Sequence, residues 1–317
     1  FGHGGQGKEQ DGARNGHATI FAHPALARGD DGGYEGSMQT GQELLRGRVA
    51  VVTGSSRGLG FAMARLLGAE GAAVVLASRS AADAEAAASR LRAEGITASG
   101  LRCDTAELAD VESLRDEALR LGGLDIWVNN AGVSGVYGPT ASTPVDDFTR
   151  VVRTNILGTF HGSRVALPVM LGQGHGDLVN LYGQGDGGPV PLQNAYASSK
   201  RWVRQFTETL RRETRGTGVR VHGMNPGLVE TDLLRRIRAQ PGYEQRLSAL
   251  QVVVGLWGQD PEAAAKPLLG LVTSDAAAYR DLTPARLLAR GARSVLAGRL
   301  RRSHRMPLDI TVVEPER

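Results

Sequence analysis

Cysteine and lysine are nearly missing from this 317-residue chain: Cys103 stands alone, and Lys8, Lys200 and Lys266 are the only lysines among 37 basic residues. A single cysteine excludes an internal disulfide and a cysteine metal cluster, and it fits a reducing compartment. No run approaches the roughly 18 consecutive apolar residues of a membrane span, and the first residues are polar and Gly-rich, without a signal-peptide apolar stretch. The expectation is a soluble, cytoplasmic protein with no membrane partner. A net charge of +4 is a modest basic excess for this length, so composition does not argue for a nucleic-acid partner. What is present, 41% apolar and 22% charged residues, is close to the globular average and implies a sizeable core.

Residues 1–45 are rich in Gly, Asp, Gln and His and lack apolar periodicity, so they are expected to form a flexible tail. Its His3, His17 and His23 match no ligand spacing, and no metal is expected. From Arg48 onward strand and helix patterns alternate. Strands are expected at Val49–Val52, Ala73–Ala77, Ile96–Arg102, Leu124–Asn129, Asp177–Tyr182 and Val219–Met224. Helices are expected at Phe61–Leu67, Ala81–Ala93, Ala106–Arg120, Val145–Leu171 and Ala195–Arg215. Parallel strands need crossover connections, so this alternation predicts an α/β fold, a doubly wound parallel sheet with helices on both faces.

After Pro226 and Gly227 the rhythm breaks into a helical stretch from Thr231 to Trp257, interrupted at Pro241 and Gly242. It lies where the carboxyl ends of the strands would bind a ligand, and residues 228–260 are expected to form a substrate lid. A last helix over Pro261–Val272 and an edge strand over Leu308–Val313 complete the reading. The single catalytic domain is expected to span 46–275, with a basic C-terminal extension at 276–317.

Between the first strand and helix stands the turn Thr53, Gly54, Ser55, Ser56, Arg57, Gly58, Leu59, Gly60. Glycines in this context let the backbone approach a pyrophosphate whose charge meets the free amides of the following helix. The second strand ends in Ser78 and Arg79, where a carboxylate would chelate the ribose hydroxyls of NAD. Arg79 and Arg57 instead offer planar forks suited to a 2′-phosphate, so NADP(H) is the expected cofactor.

Tyr196 and Lys200 are four apart at the start of an expected helix, on one face. With six tyrosines and three lysines in the chain the pairing is informative. A phenol is a poor acid or base near neutrality, and an adjacent ammonium would bring its pKa toward the working range.

Taken together these motifs resemble the short-chain dehydrogenase/reductase family over Arg48 to Asp275. They are the TGxxxGxG turn, Asp104, the run Asn129, Asn130, Ala131, Gly132, then Asn155, Tyr196 with Lys200, and Pro226, Gly227 with Thr231. The resemblance implies a Rossmann-like fold, adenine contact by Asp104 beside Thr105, and a cofactor border at Asn130, Ala131 and Gly132. It implies that Lys200 binds the nicotinamide ribose, Thr231 touches the carboxamide, and Asn155 holds a water in a proton relay. Tyr196 would be the acid or base while hydride moves between nicotinamide and a small-molecule substrate. Assembly through the fourth and fifth helices would give a homodimer or homotetramer.

One departure stands out. The family's substrate-orienting serine, 13 residues before the tyrosine, is Gly183 here, within Leu181, Tyr182, Gly183, Gln184, Gly185, Asp186, Gly187, Gly188. Chlorophyll b reductases resemble the chain in carrying a Gly-rich turn there. Gln184 is the nearest candidate replacement donor. The basic stretch Arg280 to Arg305 admits two readings, a helix packed on its own domain or a surface for an acidic or membrane partner, the first being the commoner outcome. The expected activity is an NADP(H)-dependent oxidoreductase acting on a carbonyl or alcohol of an apolar, multi-ring or conjugated metabolite. The apolar lid residues Leu233, Leu234, Ile237, Leu247, Leu250, Val252, Val253, Val254 and Trp257 motivate the substrate class. Two alternatives stay open at this point: non-redox dehydration, isomerisation or cyclisation on the same fold, and NADP(H) binding without turnover.

Overall fold

The structure is a computed structural model that describes residues 43–281, 283–296 and 308–314. The histidines of the expected tail and the residues around Leu300 lie outside that range. The elements in chain order begin β1 (Val49–Val52), α1 (Gly58–Ala69), β2 (Ala73–Ser78), α2 (Ala81–Ala93), β3 (Ala98–Arg102), α3 (Leu108–Arg120) and β4 (Ile126–Asn129). Next come α4 (Val145–Val151), a π-helical turn over Val152–Leu157, α5 (Gly158–Gln173), β5 (Gly176–Leu181), α6 (Asn194–Glu213) and β6 (Val219–Asn225). The chain then runs through α7 (Asp232–Arg235), β7 (Arg236–Ala239), α8 (Ser248–Trp257), α9 (Pro261–Ala265), α10 (Pro267–Val272), β8 (Ala278–Arg280), α11 (Pro284–Leu296) and β9 (Asp309–Val312).

Seven parallel strands are ordered β3-β2-β1-β4-β5-β6-β8, as a doubly wound sheet requires. Successive side chains on a strand point to opposite faces. Val52, Leu76, Val128, Val179 and Met224 therefore pack against α1 and α10 residues such as Leu67 and Leu268, whereas Val51, Val75, Trp127 and Leu178 pack against Leu114 and Met170 of α3 and α5. The strand order reverses between β1 and β4, and the loops leaving those two strands open the crevice in which ligands of such sheets bind.

Several expectations are corrected. The helix expected over Val145–Leu171 is three pieces, because a π turn widens it around the buried Asn155. The helix expected over Pro261–Val272 breaks at Lys266, since Pro267 has no N–H to continue the ladder and its ring crowds the preceding turn. The expected lid is not helical throughout: Arg236–Ala239 is a strand, paired in parallel with Asp309–Val312. The expected edge strand near the C-terminus therefore joins the lid and not the main sheet. The seventh strand of the main sheet, β8, lies beyond the expected domain limit at 275 and pairs with β6. At the other end, Leu45 is fully buried in the core and its N–H donates to the Glu70 carbonyl at 2.8 Å, so the core begins before the expected boundary at 46.

α11 packs on its own domain. Arg290 donates to both oxygens of the buried Asp281 at 2.7 and 2.8 Å and to the Trp257 carbonyl, and the Trp257 indole donates to the Leu287 carbonyl. Arg286 lies over the Tyr279 ring. Among the described residues no helix is long and apolar enough to cross a membrane.

Candidate active site

The loops leaving β1 and β4 are clamped together. The Thr53 hydroxyl accepts the amides of Asn130 and Ala131 at 3.0 Å, and Asn130 Nδ2 donates to the carbonyls of Thr53 and Gly54 at 2.9 and 3.1 Å. This closeness requires glycine. A Cβ on Gly54 would come 2.9 Å from Ala131 Cα, and one on Gly60 would run into the Gly54 carbonyl and stand 2.5 Å from Asn130 Nδ2. α1 begins at Gly58 with no side-chain cap from Arg57 and no acidic residue in its first turn, so its leading N–H groups face the crevice without an internal acceptor. Leu59 packs against the core beneath. A dinucleotide pyrophosphate fits this bare helix start and bare backbone cradle.

Around the cradle the other expected cofactor residues take distinct places. Ser56 and Ser78 share a hydrogen bond of 3.3 Å, tying the turn to the end of β2. Arg79 is exposed, and no hydrogen bond or ion pair within the described residues holds it. Arg57 is instead paired with Asp232 of α7 at 3.3 Å, so it links the turn to α7. One Asp104 oxygen caps the Ala106 amide at 3.0 Å, and the buried Thr105 gives its carbonyl to His161. Thr231 sits at the start of α7 with its methyl against Gly58, and the Pro226 carbonyl accepts the Gln259 side chain while Gly227 abuts Asp281.

Tyr196 and Lys200 share one face of α6, beneath the end of β5. Lys200 Nζ donates to the Leu181 carbonyl at 3.0 Å and lies 5.7 Å from the Tyr196 ring centre. Asn155 Nδ2 donates to the Val133 carbonyl and to Ser199 Oγ, and its Oδ1 accepts the Val133 amide at 2.9 Å. Asn155 thereby ties the loop after β4 to α6. A Cβ on Gly132 would lie 3.6 Å from Asn155 Oδ1 and 3.7 Å from Lys200 Nζ, so Gly132 borders the space between them. Gly183 faces the tyrosine directly: a Cβ there would stand 2.5 Å from the Tyr196 hydroxyl oxygen. Gln184, by contrast, is exposed, and its Oε1 accepts Gln193 Nε2 at 3.1 Å.

The electrostatics correct one expectation. Burial pushes the Tyr196 phenol up to about 12, with the negative Asp186 adding to the rise. Burial also pulls Lys200 down to about 8, opposed by Asp186. Within the chain alone, desolvation outweighs any lowering of the phenol by the ammonium.

Sequence reasoning passed over three buried groups. Asp186 is the one charged residue between Leu181 and Ala195, a signal visible in the sequence. Asp147 holds the Val136 amide, Arg150 and the lid residue Arg238. Gln240 ties the end of β7 to Ser142, Pro139 and Thr143. Of the expected lid residues, Leu247 and Val254 are buried, whereas Leu233 and Val252 are exposed.

The family model for short chain dehydrogenase matches residues 48–242. The chain belongs to the short-chain dehydrogenase family. It is an oxidoreductase of that family. Similar to it is 3beta-hydroxysteroid dehydrogenase 1 of Eggerthella lenta, 36% identical over 241 residues, which cover 74% of this chain and 90% of the relative. So is chlorophyll(ide) b reductase NOL of Arabidopsis thaliana, a chloroplastic protein, 39% identical over 192 residues that cover 58% of this chain and 55% of that relative. The match to that second relative thus spans about half its length. A solved gluconate 5-dehydrogenase from Burkholderia cenocepacia, in complex with NADP and tartrate, has a TM-score of 0.65 at 30% identity and covers 74% of this chain and 92% of its own.

Proposed function

We propose that this short-chain dehydrogenase is an NADP(H)-dependent reductase of an apolar, multi-ring or conjugated carbonyl compound, with Tyr196 as its proton donor. The observation that carries the reading is the bare Gly183 backbone against the Tyr196 hydroxyl, which leaves the tyrosine as the hydroxyl donor at the end of β5. Arg79, beside Ser78 and without a partner among the described residues, supports a 2′-phosphate, since a guanidinium fork matches a phosphate that a carboxylate would repel. Relatives named for a hydroxysteroid and for chlorophyll(ide) b support a fused-ring substrate.

When bound, the nicotinamide supplies a hydride to the carbonyl carbon. Tyr196 gives its proton to the carbonyl oxygen, and its high pKa keeps that proton in place until the oxygen develops charge. Lys200, anchored on the Leu181 carbonyl, keeps a positive charge close to the phenol. Asn155 holds the loop after β4 against α6 and so fixes the space bordered by Gly132. Gly54, Gly58 and Gly60 admit the pyrophosphate to the start of α1. Without a second hydroxyl on the substrate oxygen, positioning must come from remote apolar contact, to which Leu233 and Val252 of the lid are exposed. The same reading has subunits pairing through α5 and α6, whose outer faces expose Phe160 and carry Trp202 stacked on Phe206.

The test is stoichiometric NADPH oxidation with phenanthrenequinone, a planar three-ring diketone with activated carbonyls, against cyclohexanone. Turnover of the first at least tenfold above the second is expected. Near-full activity in Tyr196→Phe would overturn the assignment of the proton donor.

A further inference from the structure

The Gly-rich segment that stands in place of the serine-bearing loop carries one charge, Asp186, and it is 4% exposed. A buried carboxylate is costly unless it is paired and hydrogen-bonded. Here it is both. Oδ1 accepts Arg280 Nη1 at 3.2 Å, Oδ2 accepts Asn225 Nδ2 at 3.2 Å, and Arg280 Nη2 stands 3.2 Å from Oδ2. The Asp186 carbonyl accepts Arg201 at 3.0 Å and Arg204 at 3.3 Å, both from α6, and Arg204 is in turn paired with Glu208. The Asp186 amide donates back to the Gly183 carbonyl at 3.1 Å, closing a turn over residues 183–186. That turn begins at Gly183, whose backbone lies against the Tyr196 hydroxyl.

We propose that Asp186 is a positioning residue for Tyr196 and Lys200: locked by Arg280 of β8 and Asn225 of β6, it holds the turn that seats Gly183 on the tyrosine and supplies the negative charge felt by both. The inference rests on the reading of Tyr196 as proton donor. Asp186 is the charged group of the described chain that acts on both side chains, favouring the protonated form of each. Carbonyl reduction needs that state, a phenol with its proton and an ammonium beside it. Asp186 thus offsets, at Lys200, part of the burial that strips the ammonium of its proton.

The experiment follows NADPH-dependent reduction of phenanthrenequinone from about pH 6 to pH 10 in wild type, Asp186→Asn, Asp186→Glu and Tyr196→Phe, with thermal melting and NADPH affinity as measures of folding. Removing the charge lets Tyr196 and Lys200 lose their protons at lower pH. The alkaline limb of kcat should therefore move down by roughly half a unit or more in Asp186→Asn, and return in Asp186→Glu. A limb that stays in place in a folded Asp186→Asn would overturn the proposal, since a scaffolding role lowers turnover without moving it. If Asp186→Asn does not fold, Arg280→Gln, which leaves the Asp186 charge without its counter-charge, should move the limb up instead, and an unmoved limb there overturns the proposal. An inactive Tyr196→Phe with an unmoved limb removes only the role of Asp186, whereas an active Tyr196→Phe removes the tyrosine reading itself.

Discussion

Gly183 and Tyr196 occupy one space between them: a Cβ on the glycine would lie 2.5 Å from the phenol oxygen and 3.3 Å from Cζ, and 3.4 Å from Lys200 Cγ behind it. The tyrosine hydroxyl stands where a serine side chain at this position would have to go. Introducing a serine there therefore displaces the tyrosine hydroxyl, the proposed proton donor, and cannot simply add a second one. Gly183→Ser and Gly183→Ala are both expected to lower kcat/KM on phenanthrenequinone at least tenfold, and to destabilise the fold by about 1–3 kcal/mol through overpacking. Steady-state kinetics and denaturant melts check this, and a serine variant with raised activity on cyclohexanone would sink the argument.

The two arginines proposed to favour NADPH are in different states. Arg57 is engaged with Asp232, whereas Arg79 at the end of β2 has no partner among the described residues. Arg79→Ala should weaken NADPH by about tenfold or more, about 1.4 kcal/mol, and leave NADH nearly unchanged. Arg57→Ala should also loosen the start of α7. Titration calorimetry with both dinucleotides separates the two, and an equal loss for NADPH and NADH in Arg79→Ala would make that arginine structural.

The main sheet and the placement of Tyr196, Lys200 and the glycine turn were legible because strand and helix patterns repeat locally and the chemistry-bearing residues sit at their ends. What escaped depends on distant partners. Arg236–Ala239 alternates basic and apolar residues, but four residues are too short a run to stand out from the helical pattern around them, and they form a strand because Asp309–Val312, some seventy residues later, completes its hydrogen bonds. β8 is a three-residue Ala-Tyr-Arg segment with no apolar run, yet β6 needs an edge partner and Arg280 needs Asp186. The π turn around Asn155 was hidden for a similar reason. Its buried side chain answers both backbone groups of Val133, a residue far back in the sequence.

The pairing of β7 with β9 makes the C-terminal segment part of the expected lid. Ending the chain after residue 308 removes β9 from one side of β7 and leaves Tyr137 on the other, its amide donating to the Arg238 carbonyl at 2.8 Å and its carbonyl accepting the Gln240 amide at 2.9 Å, with Arg238 on Asp147 and the Gln240 side chain still holding that end. The truncated protein should raise KM for phenanthrenequinone several-fold, because the lid that carries Leu233 and Val252 is less ordered. NADPH affinity should be unchanged to within about twofold. Unaltered KM would mean that β9 has no part in forming the substrate side.

The buried lysine has a cost that pH should reveal. Burial lowers Lys200 from 10.5 to about 8, so between those values the unfolded chain binds a proton that the folded chain has released. Stability rises with pH wherever the unfolded state holds more protons, so the fold should gain stability from about pH 8 toward pH 10, by an amount on the order of 3 kcal/mol at most. Tyr196 acts in the opposite sense. Its pKa is raised from 10 to about 12, so the folded chain keeps a proton that the unfolded chain loses, and stability falls again above pH 10. Wild type should therefore pass through a stability maximum near pH 10, set by these two groups against whatever slope the rest of the protein contributes. Lys200→Met removes the rising limb and leaves the falling one, and at neutral pH it should be more stable than wild type while inactive on phenanthrenequinone. Denaturant melts at a series of pH values measure both limbs. A rise between pH 8 and pH 10 that survives in Lys200→Met would place its source in another group and mean that Lys200 is solvated well enough to stay charged.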